Sequence, residues 1–255
     1  MTTSRFRNST VEVLAWAAAG AQALFVGGWL IGGAIEGHGY SAGRHDISDL
    51  TALTAHHATS NRATLLVSGL LTAAFALWAL LPSLSRPDLR MPISAWLVAL
   101  SLPSLDNLSD VFFRLDCRAA DAGCLASHAS ASWHGKTHLV MFAIAAIATV
   151  IAPFALAHRM KNLDGWRSFA RPTRLFGVLI VAALLAAGAL GGTVAQGSSQ
   201  RIAATLIPLG IVGLALPVRR QAANSRGSAG ADATNQPPDP SPVVHRRSRS
   251  SAADL

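Results

Sequence analysis

Charged residues are scarce in this sequence, and their scarcity excludes most soluble folds. Only 13% of the 255 residues are Asp, Glu, Lys or Arg, whereas 51% are hydrophobic. A chain of that composition has too little polar surface to face water on all sides. Its apolar segments also show no alternation of polar and apolar residues, which a strand of a membrane β-barrel requires. The composition therefore indicates a helical membrane protein.

Some common functional motifs are also absent. The chain contains no nucleotide-binding loop of the Gly-x-x-x-x-Gly-Lys type and no Cys-x-x-Cys redox pair. Although the net charge is +8, nothing resembles a nucleic-acid-binding fold or an aromatic platform for stacking bases. We therefore expect no nucleic-acid partner. Positive charge in loops is explained by membrane topology and by contact with anionic lipids.

Six apolar stretches make up most of the chain. Each is close to the ~20 residues that a helix needs to cross ~30 Å of hydrocarbon. They cover residues 12–35, 63–82, 92–113, 137–157, 174–192 and 202–218. We therefore predict an all-α integral membrane bundle of six transmembrane helices, with membrane lipids as its surroundings. The sequence identifies no protein partner.

The segments between these stretches differ in positive charge. Arginine and lysine are more frequent in the N-terminal segment, the second and fourth connections and the tail than in the other three connections. By the positive-inside rule this predicts a multi-pass protein of the cell membrane with both termini in the cytoplasm. The domains are then a cytoplasmic N-terminus at 1–11, a transmembrane domain at 12–218 and a tail at 219–255. The polar, Ser- and Pro-containing tail buries too little apolar surface to fold, so we predict that it is disordered.

The first external connection, about residues 36–62, carries an unusual number of polar side chains. They include His38, Asp46, Ser48, Asp49, His56 and His57. A loop of this length in a compact bundle is usually functional or disordered. Capping of a short helix by Asp46 or Ser48, with Asp49 favoured by the helix dipole, would explain part of the pattern without any function. Ser48 and Asp49 are therefore candidates for either role.

The third span ends in acidic residues one turn apart. Asp106, Asp110 and Arg114 recur at every fourth position, which places them on one helical face. An ion pair between Asp110 and Arg114 is the simple structural explanation. It leaves Asp106 without a partner about 10 Å below the helix end, where a carboxylate is costly unless it faces protein or water. Asp106 is therefore a candidate functional residue.

Cys117 and Cys124 are the only cysteines, and both fall in the second external connection. The sequence leaves three states open for them: a disulfide, two free thiols or metal ligands. The oxidising side of the membrane favours the disulfide. Two thiols without a second pair make a poor zinc site.

His134 and His138 lie one turn apart at the start of the fourth span. Two imidazoles on one helical face can share zinc or another divalent metal if a carboxylate from Asp49, Asp106 or Asp116 completes the site. The spacing has no Glu of the His-Glu-x-x-His motif, so it supplies no general base. A histidine at a helix end is also commonly a hydrogen-bonded interface residue. The sequence leaves both roles open.

Three short motifs resemble those of a known family. They are Ser41 with Ile47-Ser-Asp-Leu50, Phe113-Arg-Leu-Asp116, and Ser132-Trp-His-Gly followed by His138. Over about residues 10–218 the chain resembles the six-helix prokaryotic membrane proteins classed as domain of unknown function 998. Family members usually have a proline where this chain has Arg114, so the local turn differs. The resemblance implies a six-helix bundle without an established activity, and it matches Ser48, Asp49, Asp116 and His138 to family positions.

Two classes of function remain. In the first, the external cluster of polar residues is a working site, either hydrolytic with a metal-bound water or binding a lipid headgroup or an ion, including for transport of a small solute or lipid. Its candidate catalytic residues are Ser48, Asp49, Asp106, Asp116 and His138. In the second, the cluster joins loops, and the protein is a structural or sensory partner without catalysis. The two halves of the sequence show no matched broken helices, which argues against an inverted-repeat transporter.

Overall fold

The computed structural model describes residues 2–37, 39–86 and 90–234. Within these ranges the chain is helical without any β-strand, so the predicted all-α class is confirmed. The helices are α1 (Thr2–Ile35), α2 (Ala58–Leu84), α3 (Ile93–Ala99), α4 (Asn107–Phe112), α5 (Ala126–Ala129), α6 (Trp133–Met160), α7 (Arg167–Ala189) and α8 (Gln196–Thr234). A 3-10 turn covers Ser48–Thr51, and π turns cover Phe75–Leu80 within α2 and Leu102–Asp106 before α4.

Five helices are long and apolar enough to cross a membrane, namely α1, α2, α6, α7 and α8. Many of their outward side chains are large and apolar. Ile147 of α6, Leu185 of α7 and Ile202 of α8 expose 60%, 69% and 61% of their surfaces. An apolar exterior of this extent suits lipid and not water. The chain is therefore an all-α membrane bundle.

The third predicted span, 92–113, differs because it is broken. After α3 the backbone of Ser101 is extended, with φ −81° and ψ 171°, and the chain resumes as a π turn leading into α4. Pro103 has no N–H to donate, and the amide of Leu102 donates to Thr149 Oγ1 of α6 at 2.9 Å. Neither part is long enough to cross a membrane alone, so five of the six predicted spans are confirmed as candidate spans.

The bundle has two distinguishable ends. The disulfide end carries the α1–α2, α4–α6 and α7–α8 connections, and the terminal end carries the α2–α3 and α6–α7 connections. The main apolar core lies toward the terminal end, where its largest members are Phe75, Leu84, Leu156, Met160 and Trp166. Toward the disulfide end the helices enclose polar side chains.

Helices α6 and α7 come into close contact near their middles. A Cβ atom added to Gly177 of α7 would lie 2.8 Å from Pro153 Cγ of α6, so glycine is what permits this approach. Toward the disulfide end a Cβ atom on Gly188 would meet no neighbouring atom within 4 Å, and residues of both helices line an open space there. The resulting gap between α6 and α7 forms one side of a cavity.

The last helix extends past the predicted sixth span. α8 continues to Thr234, whereas the apolar stretch ends at residue 218. Residues 235–255 of the predicted tail lie outside the described residues, as does His38 of the first connection. The predicted disorder of the tail therefore stays a prediction, with helix observed as far as Thr234.

Candidate functional site

A large cavity lies between the break in the third span and helices α6, α7 and α8. Its volume is about 810 Å³. Most of its lining is apolar and includes Phe142, Ile147, Val181, Leu184 and Ile207. Four titratable side chains interrupt this apolar wall: Asp46, Asp106, Asp110 and His138. We call this volume the acidic cavity.

Asp106 is the most isolated polar group in the acidic cavity. It ends the π turn that follows the break. Its Oδ1 atom is buried and has no hydrogen-bond partner among the described residues. The charged groups acting on it are Asp110 and His138. A carboxylate left without a partner inside a membrane protein is costly and commonly marks an ion or substrate site.

The side chains of Asp110 and His138 form a close buried contact. Asp110 Oδ1 and His138 Nδ1 lie 2.7 Å apart, and the two side chains are 9% and 7% exposed. The contact is close without the alignment of a hydrogen bond, because neither atom has a partner of hydrogen-bond geometry in the described structure. The helical turn before and within α4 brings Asp106 and Asp110 to one face, and the second turn of α6 supplies His138.

This arrangement corrects the predicted ion pair between Asp110 and Arg114. α4 ends at Phe112, and the backbone of Phe113 is extended, with φ −107° and ψ 104°. Arg114 therefore leaves the helical face that carries Asp110. In the described part of the chain Asp110 pairs with His138, and Arg114 takes part in no ion pair.

The segment 40–48 covers the acidic cavity at the disulfide end. Gln196 Nε2 donates to Asp46 Oδ2 at 2.7 Å, and Ile47 N donates to Gln200 Oε1 at 2.6 Å. Both contacts tie the segment to the first turns of α8. Burial raises the pKa of the Asp46 carboxyl. The polar lining at this end consists of Asp46, Ser48, Gln196 and Gln200.

Arg201 of α8 holds the same segment, and sequence reasoning missed it. Its Nη1 donates to the carbonyl oxygens of Ala42 at 2.6 Å and His45 at 2.8 Å, and its Nη2 donates to Tyr40 Oη. Its guanidinium lies 5.5 Å from the centre of the Trp29 ring. The sequence feature that could have identified Arg201 is its position as a lone arginine at the edge of an apolar stretch.

Asp49 lies outside the acidic cavity and beside the disulfide loop. Its Oδ1 accepts from Ala119 N at 3.3 Å, whereas its Oδ2 is buried without a partner among the described residues. Burial raises the pKa of Asp49 to about 6. Ser48 and Asp49 are adjacent in the chain, yet only Ser48 lines the cavity. The structure thus separates two residues that the sequence placed in one cluster.

Asp116 and His134 both make contacts with residues at the start of α6. Asp116 accepts from Ser132 N at 2.8 Å and from Ser132 Oγ at 2.5 Å, and these bonds lower the pKa of its carboxyl. The centre of the His134 ring lies 3.8 Å from that of Trp133. His134 and His138 therefore have different surroundings. Within the described ranges no group of three His, Cys, Asp or Glu residues is arranged to hold a metal ion.

The predicted disulfide between Cys117 and Cys124 is confirmed. The loop that it closes is anchored by a buried ion pair between Arg118 Nη1 and Glu36 Oε1 at 2.7 Å. Glu36 Oε1 also accepts from the backbone amide of His56 at 2.8 Å. Sequence reasoning missed Glu36, although it is an acidic residue directly after the first span and could have been singled out for that reason. The ion pair fixes the α1–α2 connection to the disulfide loop.

The α1–α2 connection also contains a Gly-x-Ser-x-Gly pattern at Gly39-Tyr-Ser41-Ala-Gly43, which sequence reasoning overlooked. In serine hydrolases this pattern forms a sharp turn between a strand and a helix. Here it lies in a series of turns before the 3-10 turn. His45 Nδ1 accepts from the backbone N–H of Ser41 at 2.8 Å. This geometry does not support a serine nucleophile.

Comparison with known proteins identifies the family. No curated protein and no solved structure matched the chain. A family model described as "Protein of unknown function (DUF998)" matches residues 17–218. That range covers both parts of the broken span and every residue that lines the acidic cavity. The chain therefore belongs to the DUF998 family, as the resemblance of its short motifs predicted.

Proposed function

We propose that the acidic cavity binds an organic cation carried on an apolar body. One observation carries the proposal: Asp106 Oδ1 is buried without a partner among the described residues and belongs to a side chain that borders a volume of about 810 Å³. A cationic nitrogen would supply the missing partner and would offset the cost of a buried carboxylate.

The charge balance favours a cation over an anion. Three carboxyl groups line the cavity, from Asp46, Asp106 and Asp110, whereas His138 is the one basic side chain among the described lining residues. His138 is paired with Asp110, and Asp46 accepts from Gln196. An anion would meet repulsion from the remaining carboxyl group, and a cation would meet attraction.

The rest of the lining favours a large apolar ligand that enters from the bilayer. Ile147 of α6 and Leu185 of α7 border the cavity and expose 60% and 69% of their surfaces. A gap between two membrane helices admits a molecule dissolved in lipid. Two ligand sources fit this chemistry: an amphiphile with an amine headgroup and a compact aromatic cation.

We also propose that the disulfide end faces the outside of the cell membrane and that both termini are cytoplasmic. The disulfide supports this orientation, because disulfides persist in oxidising compartments. The distribution of arginine and lysine supports it independently. The gap between α6 and α7 then opens into the outer leaflet.

Binding of ethidium, an aromatic cation whose fluorescence rises in apolar surroundings, tests the proposed ligand class. We expect the detergent-purified full-length protein to bind ethidium. Asp106→Asn should weaken binding by about tenfold or more, because the ligand loses its counter-charge. Asp164→Asn is the matched control, since it removes the same charge from a side chain that is 82% exposed at the terminal end.

Competition separates the two ligand sources. Displacement of ethidium by dodecyltrimethylammonium and not by dodecanol would support an amphiphile with a cationic headgroup. Displacement by tetraphenylphosphonium alone would support a compact aromatic cation. Equal ethidium affinity of the wild-type protein and Asp106→Asn would refute the proposed site.

A further inference from the structure

A second cavity lies on the other side of the break in the third span. Its volume is about 310 Å³, and α3, α6, α7 and α8 contribute its walls. The lining is mainly apolar and includes Leu156, Met160, Phe169, Phe176, Ile211 and Leu214. We call it the terminal-end cavity, because it extends toward the terminal end as the acidic cavity extends toward the disulfide end.

A thin partition separates the two cavities. Pro103 and Ile207 line both of them. Pro103 lies in the π turn directly after the break, and Ile207 directly precedes Pro208 inside α8. Proline removes a backbone hydrogen bond, so the helical structure is weakened on both sides of the partition. Irregular backbone at membrane depth is tolerated where it lines a cavity, and transporters use such breaks to form substrate sites.

Asp106 lies beside this partition, in the same π turn as Pro103. The titratable groups that act on it are Asp110 from α4 and His138 from α6. Asp46 borders the acidic cavity closer to the disulfide end, and the described lining residues of α1, α2, α7 and α8 include no titratable group. In the state in which the pair of Asp110 and His138 carries no net charge, the region around Asp106 is uncharged only when its carboxyl holds a proton or a cation.

We propose that the protein moves organic cations across the partition in exchange for protons, an inference that rests on the proposed function. A cation from the terminal end binds the Asp106 carboxylate as the carboxyl proton leaves toward that end. A proton from the disulfide end then replaces the cation, which leaves toward the disulfide end. One proton is exchanged for one monovalent cation, so the charge of the buried site is the same in both states.

Ethidium uptake by sealed vesicles tests the exchange. The full-length protein is reconstituted into vesicles with an acidic lumen, and protein-free vesicles measure the spontaneous leak. We expect ethidium to accumulate in the lumen while the lumenal pH rises, and we expect both changes to stop when the pH gradient is abolished. Uptake equal to that of protein-free vesicles would overturn the proposed exchange. It would not affect the proposed binding site, which ethidium binding in detergent tests separately.

Ile207→Trp tests the partition. A larger side chain at a position shared by both cavities should reduce uptake by about tenfold or more. Because Ile207 also lines the acidic cavity, uptake is compared at ethidium concentrations that saturate binding to each variant in detergent, so that weaker binding does not account for the loss. Ile202→Trp is the matched control, because Ile202 lies on the same helix, is 61% exposed and borders neither cavity. Uptake by Ile207→Trp equal to that of the control would refute a path through the partition.

A second variant keeps the test decisive if tryptophan prevents folding. Both native cysteines are bonded to each other, so Ile207→Cys introduces the one free thiol. A small apolar thiol reagent applied after reconstitution should stop uptake by this variant and leave wild-type uptake unchanged. Complete labelling with undiminished uptake would argue against the path.

Discussion

The buried carboxyl groups of Asp49 and Asp106, like that of Asp110, each have an oxygen atom without a hydrogen-bond partner among the described residues. Asp49 packs against the disulfide loop, whereas Asp106 borders a cavity large enough for a ligand. The same local observation therefore has a structural consequence at one residue and a functional consequence at the other. For Asp49 the consequence is a dependence of stability on pH.

Asp49→Asn tests that dependence. Burial raises the pKa of Asp49 from 3.8 to about 6 in the folded protein. The folded protein therefore gains its full stability from the protonated Asp49 carboxyl at pH values below 3.8, the pKa in the unfolded chain, and this stability is lost as the pH rises through about 6. The loss has an upper limit of ~3 kcal/mol. Asparagine keeps an acceptor for Ala119 N and carries no charge. We expect Asp49→Asn to raise the melting temperature in detergent near pH 8 and to change it little near pH 4.

Asp164→Asn is the control for this measurement, because its carboxylate is exposed at the terminal end. It should leave the melting temperature unchanged at both pH values. A gain in stability from Asp49→Asn that is the same near pH 4 as near pH 8 would contradict the assigned effect of burial.

The sequence identifies some of these residues and not their partners. Asp106 and His138 are recognisable because ionisable residues are rare in apolar stretches. The partner of Asp110 depends on whether α4 ends before Arg114, and helix ends are the part of a helix that a sequence specifies least. Arg118 meets Glu36 across 82 positions, and Arg201 meets Ala42 across 159. No local pattern indicates contacts of that range.

At the scale of elements, the break in the third span is the feature that apolar composition conceals. Residues 92–113 form one apolar stretch, and hydropathy carries no information about where backbone hydrogen bonds are interrupted. Pro103 is compatible with a continuous membrane helix, so it does not predict a break. The break persists because the Thr149 hydroxyl of α6 accepts from Leu102 N.

Thr149→Val tests this support. Valine keeps the shape of threonine and removes the hydroxyl, which leaves the amide of Leu102 unpaired inside the membrane. The expected loss is about 1–3 kcal/mol, visible as a lower melting temperature. Thr205→Val is the control, because Thr205 Oγ1 donates within α8 to Arg201 O at 2.8 Å and its removal leaves no amide unpaired. Equal losses in the two variants would exclude the contact with Leu102 as the cause.

At the scale of the whole molecule, the all-α membrane bundle could be predicted because the length and composition of its helices dominate the sequence. The arrangement of the disulfide end could not, since it depends on side chains from α1, α8 and the disulfide loop that converge on one connection. Family membership follows from short motifs within residues 17–218 and carries no activity with it.

Single cysteines test the proposed orientation of the bundle. Val194 lies between α7 and α8 at the disulfide end and is 69% exposed, and Met91 lies between α2 and α3 at the terminal end and is 70% exposed. A membrane-impermeant maleimide applied to intact cells should label Val194→Cys and not Met91→Cys, because the disulfide end is proposed to face outward. Both should react after permeabilisation. Labelling of Met91→Cys alone in intact cells would reverse the orientation.

The contact between Gly177 and Pro153 is a point around which the second half of α7 can tilt. From that contact to the end of the helix at Ala189 the distance is about 18 Å, at ~1.5 Å per residue. A tilt of about 10° around the contact moves the Ala189 end of α7 by ~3 Å. The 40–48 segment is attached to α8 through Arg201 and Gln196, and Gln196 also accepts from Gly192 N of the turn that follows α7 at 2.6 Å. A tilt of α7 that widens the entrance from lipid therefore acts, through Gln196, on the residue that holds the closure toward water.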